Sequence, residues 1–261
     1  MQPLIIDSHC HAGKGDGLTG PWDTNASLKE FMKWSNEARI TKTVLFAAFN
    51  SNYSSANEKV ARIVKACPDK FDGYAFVHAQ RDKGNIFQMV RRAVTDYNFC
   101  GIKCHRYDAP ITREICDTAR KLSLPVLYDT MAEISTVELI AKEYPDVNFI
   151  IPHLGSFADD WKAQQSFVDK LVKHPNVYTD TSGVRRFDLL KEAYERAGAH
   201  KILFGTDGPW LHPAVEIAKV YALKCNAVEE QQILSGNFLK LQMERKQKQT
   251  LQESMNGDYF R

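Results

Sequence analysis

Along the chain, a short apolar run, often β-branched, gives way to polar or Gly residues, then to an amphipathic stretch, then to the next apolar run. Eight runs fit strands, at 4–8, 43–48, 73–77, 100–104, 125–128, 148–151, 176–179 and 201–204. Several are apolar at consecutive positions, such as Leu4-Ile5-Ile6, Phe149-Ile150-Ile151 and Ile202-Leu203-Phe204. Strands buried on both faces read that way. The stretches between them carry helical spacing. Ile134, Val137, Ile140 and Tyr144 mark one expected buried face, and Val168, Leu171 and Val172 another. Leu189, Leu190, Ala193, Tyr194 and Ala197 mark a third, and Val215, Ala218, Ala222 and Cys225 a fourth. Pro145, Pro175 and Gly198 stand where helices should stop.

Eight β/α units in one chain predict an α/β fold, a single (β/α)8 TIM-type barrel over residues 1–241. The competing doubly wound open sheet opens with a Gly-rich turn, and His9-Cys10-His11-Ala12-Gly13 is not G-x-G-x-x-G. Residues 242–261 turn Gln/Lys/Glu-rich, and are expected to form a polar C-terminal tail: a helical extension fraying at its end.

Composition narrows the class. The chain has 261 residues, 44% hydrophobic and 25% charged, enough apolar material for one large core. A net charge of +2 offers no field for nucleic acid or an anionic membrane. No apolar run approaches the ~18 residues of a membrane helix. The first residues show no basic and long apolar leader, and the six cysteines include no C-x-x-C. Reduced thiols in a cytoplasmic protein are the expectation. The expected partner is a small, anionic substrate, and a homodimer stays open.

Barrel active sites lie at the C-terminal ends of the strands. Five of the eight histidines, at 9, 11, 105, 153 and 212, fall at or just beyond such ends. Alternation along a strand sends His9 and His11 to the same side. Two imidazoles so placed suit a zinc-like ion, and Asp207 after the eighth run would add an oxygen ligand or take a proton from water. An isolated H-x-H is a weak signal, His153 alone could be an ordinary loop histidine, and Asp207 alone could cap a turn. Their joint placement at the ends of the first, sixth and eighth runs is what points to a divalent metal site. Trp22 and Trp210 could wall a pocket or sit in the core. Cys10 faces away from its two histidine neighbours.

The segments IIDSHCH, FIIPHLG, ILFGTDGPW and ILSGNFLKL, over residues 4–241, resemble the amidohydrolase superfamily. Within it the chain is most similar to the amidohydrolase-2 branch of aminocarboxymuconate-semialdehyde-type decarboxylases and pyrone-dicarboxylate lactonases. The resemblance implies His9 and His11 as first-strand ligands, Asp207 as the eighth-strand carboxylate, and His153 as a histidine acting on substrate or water. The two imidazoles put zinc first, with manganese or iron open if oxygen ligands join them. One departure stands out: the family usually carries His at the end of strand five, and PVLYDTM has Asp129 there. Asp129 could ligate the metal, tilting the site toward a harder ion, or orient a ligand from behind. Lys103 could be carboxylated to bridge two metals, as in related binuclear barrels, or could present a cation to an anionic substrate. With His105, Arg106 and Tyr107 it reads as substrate-binding, and Arg185 and Arg186 are rivals for that role.

The expected activity is a metal-dependent hydrolase that activates water to cleave a small carboxylated or cyclic ester or amide. Asp207 accepts the water proton, and His153 with the metal steadies the developing oxyanion. Non-oxidative decarboxylation of an aromatic or muconate-like acid is the alternative. A TatD-like nuclease fits less well, since Gly101-Ile102-Lys103 replaces the usual strand-four glutamate, and a catalytically inactive barrel would rest on Asp129 alone.

Overall fold

The barrel forms as the alternation predicts. The computed structural model describes residues 3–17, 25–157 and 160–257, so Trp22 lies outside the described residues. The strands are β1 Ile6–Lys14, β2 Asn25–Ala26, β3 Lys42–Ala47, β4 Phe71–Phe76, β5 Gly101–His105, β6 Val126–Asp129, β7 Phe149–Ile151, β8 Val177–Asp180 and β9 Ile202–Leu203. They join in the order β2-β1-β3-β4-β5-β6-β7-β8-β9. β2 folds back antiparallel on the end of β1, and all other neighbours are parallel. The circle closes where Ser8 N–H donates to Phe204 O at 2.9 Å, Asp207 N–H to His9 O at 2.8 Å and His11 N–H to Gly208 O at 2.6 Å.

Helices fill the crossovers: α1 Leu28–Glu37, α2 Tyr53–Ala66, α3 Ile86–Tyr97, α4 Arg113–Lys121, α5 Ile134–Glu143, α6 Trp161–Lys173 and α7 Phe187–Ala197. α8 Pro213–Ala222, α9 Ala227–Gln231 and α10 Asn237–Gly257 follow the last strand. Gly198 ends α7 with φ +87°, a left-handed conformation that glycine adopts without a Cβ penalty. Strand and helix side chains merge into one continuous apolar cluster.

Two expected helix faces need correction. α8 buries Pro213, Glu216, Ile217 and Val220, whereas Val215 is 61% exposed and Ala218 and Ala222 face solvent. Apolar residues occupy both sides of this helix, so spacing cannot choose between them. The side with the bulkier Ile217 and Val220 wins, and Glu216 is drawn in to accept from Gly183 N–H at 2.9 Å and Lys219 Nζ at 2.6 Å. Val172 on α6 is likewise exposed.

β1 starts two residues later than the apolar run and continues through the histidines to Lys14, with β2 paired to its far end. His9 and His11 are therefore strand residues and not loop residues. At the other pole of the barrel, α10 crosses residue 242 without a break. Its Gln242 donates to Cys100 O, Lys248 to Asp146 O and Gln249 to Leu122 O, so this part of the polar segment is bonded to the barrel base. No helix among the described residues is long and apolar enough to cross a membrane.

Candidate metal and substrate site

Strand alternation places His9 and His11 on the barrel's inner side and turns Cys10 away, as expected. Asp207 meets them from the segment after β9, with φ +56°, a left-handed conformation that Asp tolerates better than most residues. One ligand atom from each of His9, His11 and Asp207 lies within 4.8 Å of the others, and all three residues are buried. His9 Nδ1–H donates to Asp180 Oδ2 at 2.8 Å and His11 Nδ1–H donates to Ala47 O at 3.0 Å. Each ring therefore has its Nε2 left over, 3.2 Å and 3.6 Å from Asp207 Oδ1.

That arrangement asks for a positive charge. His9 Nε2 is a buried atom with no hydrogen-bond partner, and burial holds His11 well below the usual histidine range, so its Nε2 is a bare lone pair. Two lone pairs aimed at one carboxylate oxygen repel it unless a proton or a cation sits between. His9 shows the demand directly. Burial lowers its pKa, but the carboxylates of Asp180 and Asp207 outweigh that and raise it to about 9. Asp207 itself is held below the ordinary carboxylate range, with burial opposed by His9, His153 and His11. Two imidazoles and a carboxylate, with rings fixed through their far nitrogens, fit a divalent ion.

Supporting side chains come from far along the sequence. Asp180, at the end of β8, also accepts from Ser182 N–H and Oγ–H at 3.1 and 2.5 Å. Gly205 lets these groups approach, since a Cβ there would stand 3.0 Å from His9 Cβ and 3.1 Å from Asp180 Cγ. Asp7 is fully buried and accepts from His9 N–H, Thr206 N–H and Thr206 Oγ–H. Burial raises its pKa to about 7, against those hydrogen bonds.

The facing wall has a different composition. Asp129 stands outside the His9–His11–Asp207 trio. Its Oδ2 accepts from His105 Nε2–H at 3.1 Å, because His105 Nδ1 is already taken as acceptor by Tyr107 N–H. The same oxygen lies 3.5 Å from His153 Nε2, and Oδ1 accepts from Met131 N–H. His153 donates Nδ1–H to Ser182 O at 2.6 Å, and it sits with Leu154 in the left-handed region, at φ +58° and +52°. Burial lowers the His153 pKa, more than Asp129 and Asp207 raise it. Lys103 is fully buried, its Nζ has no hydrogen-bond partner, and it lies 5.0 Å from the Phe46 ring centre. Burial lowers its pKa, with Asp129 and Asp207 pulling the other way.

Both walls border one pocket of about 470 Å³. Phe49, Met131, Phe157 and Trp210 supply its apolar sides, and Trp210 packs on His11 at 4.6 Å between ring centres. The structure thus brings together His9, His11, Lys103, His105, Asp129, His153 and Asp207. It does not bring in Arg106 or Tyr107. Arg106 is held by both oxygens of Glu133 at 2.7 and 2.5 Å, and Tyr107 is exposed and packs beside Phe49. Asp7, Asp180 and Ser182 stand behind the candidate ligands; the sequence offers Asp180 and Ser182 as supports of the site or as turn formers, and assigns no role to Asp7. Asp7, two residues before His9 in D-x-H-x-H, and Asp180, in the run-end segment T-D-T, were their visible traces.

No curated protein sequence matches this chain. Among solved structures it is similar to 2,6-dihydroxybenzoate decarboxylase from Rhizobium, with TM-score 0.72 and 17% identity over 93% of this chain and 99% of that one. It is similar to a dihydroxybenzoic acid decarboxylase from Polaromonas with bound manganese and the inhibitor 2-nitroresorcinol (TM-score 0.68, 18% identity, 93% and 97% covered). A probable 2-pyrone-4,6-dicarboxylic acid hydrolase from Acinetobacter baumannii, with citric acid bound, is as similar (TM-score 0.71, 18% identity, 91% and 98% covered). At these identities the likeness establishes the barrel fold. Residues 6–241 match the profile of the amidohydrolase family, nearly the whole barrel. The chain belongs to the amidohydrolase family.

Proposed function

We propose that the chain is a metal-dependent hydrolase of a small carboxylated or cyclic ester or amide, with His9, His11 and Asp207 holding the ion. The observation that carries this reading is the convergence of His9 Nε2 and His11 Nε2 on Asp207 Oδ1 at 3.2 and 3.6 Å, each ring held through its Nδ1. A bound divalent ion would supply Lewis acidity and water that ionises near neutral pH; zinc leads, with manganese or iron as the harder alternatives.

The chain's own residues do the rest. Asp207 accepts the proton of the attacking water and returns it to the leaving group. His153, with Nδ1 committed to Ser182, keeps Nε2 for a hydrogen bond with the water or the substrate. Lys103 meets a substrate carboxylate with a buried ammonium that has no hydrogen-bond partner of its own. His105 borders the same space, its ring turned by Asp129. Asp129 orients His105 and stands off the metal. Phe49, Phe157 and Trp210 exclude water from the bound substrate.

A second reading, non-oxidative decarboxylation, draws on the two dihydroxybenzoate decarboxylases among the similar structures. The same Lys103 would then grip the carboxylate that leaves. One experiment separates the two. Zinc- or manganese-loaded protein is given lactones, esters and amides alongside hydroxybenzoates and muconate-like acids, with acid release and carbon dioxide followed together. Acid release without carbon dioxide is expected. Carbon dioxide from the aromatic acids would replace hydrolysis by the second reading, and no turnover with either group would remove both.

A further inference from the structure

The barrel seam that carries the ligands has little backbone ladder of its own. β9 ends at Leu203, four residues before Asp207. On the other side, the register of β1 against β3 shifts between Asp7 and Cys10, a bulge in the stretch that carries His9. Both segments leave regular pairing at the same level, and one buried side chain spans the gap. Asp7 Oδ1 accepts from His9 N–H at 3.1 Å and from Thr206 N–H at 2.9 Å, while Oδ2 accepts from Thr206 Oγ–H at 2.7 Å. Thr206 Oγ in turn accepts from Gly208 N–H at 3.0 Å, which fixes the turn on the far side of Asp207.

We propose that the Asp7–Thr206 clasp is a positioning device for metal binding: together with the few backbone bonds of the seam, it holds Asp207 in register against His9. Asp7 touches neither metal nor substrate; it acts through the backbone of its neighbours. A one-residue slip of the 205–208 turn would carry the carboxylate away from both Nε2 atoms. Three backbone bonds cross the seam, Ser8 N–H to Phe204 O, Asp207 N–H to His9 O and His11 N–H to Gly208 O, and the clasp adds the side-chain bonds that hold Thr206 between the first two. The clasp rests on the metal-site reading above and adds to it a residue outside the ligand set.

Calorimetric titration of Zn²⁺ alone into the metal-stripped full chain tests it, with folding checked by circular dichroism. Relative to the wild type, Asp7→Ala and Thr206→Val should bind zinc about 10- to 100-fold more weakly, the usual cost of losing a support behind metal ligands. Asp7→Asn should stay close to the wild type, since its carbonyl oxygen still accepts from both backbone N–H groups. Cobalt substitution gives a second readout: the visible absorption bands should change in Thr206→Val and return in Thr206→Ser. Should Asp7→Ala fail to fold, the two Thr206 variants decide. Folded Asp7→Ala and Thr206→Val proteins with wild-type zinc affinity would overturn the clasp and leave the metal site standing. A wild type that takes up no zinc would bring down the metal site and the clasp with it.

Discussion

Two lysines lie almost wholly inside this barrel, at opposite ends. Lys103, at the mouth, and Lys201, at the base, are 0% and 4% exposed. Each has an aromatic ring about as close, Phe46 at 5.0 Å and Tyr178 at 4.9 Å. Burial lowers the pKa of both. What differs is the ammonium's company. Lys201 donates to His174 O at 2.7 Å and Pro175 O at 3.0 Å, whereas Lys103 Nζ has no hydrogen-bond partner and borders a pocket. A buried cation costs free energy unless it is hydrogen-bonded. At the base the protein supplies the acceptors, so the lysine ties the fold together. At the mouth they are withheld, which leaves the site prepared for an anion from outside.

The largest effect expected from this contrast concerns the mouth. Asp207→Asn should lower turnover by about 10²- to 10⁴-fold, the scale of a lost general base, while the fold survives. Steady-state kinetics on whichever substrate the panel reveals will measure it, and near-normal turnover would remove Asp207 from proton transfer.

The two lysines can then be exchanged for methionine. Lys103→Met should raise KM for a carboxylate substrate about 10- to 100-fold, the value of a charge-assisted hydrogen bond, without lowering thermal stability. Lys201→Met should leave KM alone and cost about 1–3 kcal/mol in denaturant unfolding, because the His174 and Pro175 carbonyls lose their donor, the first of them buried. If both variants lose stability equally, the distinction between the ends of the barrel fails.

A pH series sharpens the base half. The Lys201 pKa falls from the ordinary lysine value to about 8. Between about pH 8 and 10.5 the unfolded chain therefore holds a proton that the folded chain has released, so this lysine's contribution to stability improves as pH rises. The stability advantage of wild type over Lys201→Met should be flat below pH 8 and grow above it. Its slope should not exceed about 1.4 kcal/mol per pH unit. An advantage that shrinks over that window contradicts the assignment.

Arg106 provides the smallest effect. Its bidentate pair with Glu133 is partly exposed, a kind of contact worth about 0–1 kcal/mol. Arg106→Ala should change unfolding free energy by no more than that, and KM hardly at all.

The eight-strand rhythm was legible because the strands are buried on both faces, so that several appear as unbroken apolar runs. The histidine pair and Asp207 were legible because strand ends are where barrel chemistry gathers. The parts that escaped depend on contacts the sequence order does not reveal. Asp180 reaches His9 across 171 residues and Asp7 reaches Thr206 across 199. Arg106 looked like a carboxylate grip until Glu133, 27 residues on, was seen to occupy it. The solvent side of α8 was misread because Val215, Ala218 and Ala222 keep helical spacing as well as Ile217 and Val220 do. Asp129 is ambiguous for a chemical reason: a carboxylate serves equally as ligand or as anchor for histidines, and its 3.1 Å contact with His105 Nε2–H favours the second.

The central claim is that His9, His11 and Asp207 jointly hold one divalent ion. Equilibrium dialysis of the stripped chain against zinc, followed by elemental analysis, measures it in wild type and in His11→Ala side by side. The account predicts one tightly held ion per wild-type chain and its loss from the variant. An ion-free wild type, or a variant that retains the metal undiminished, would contradict it.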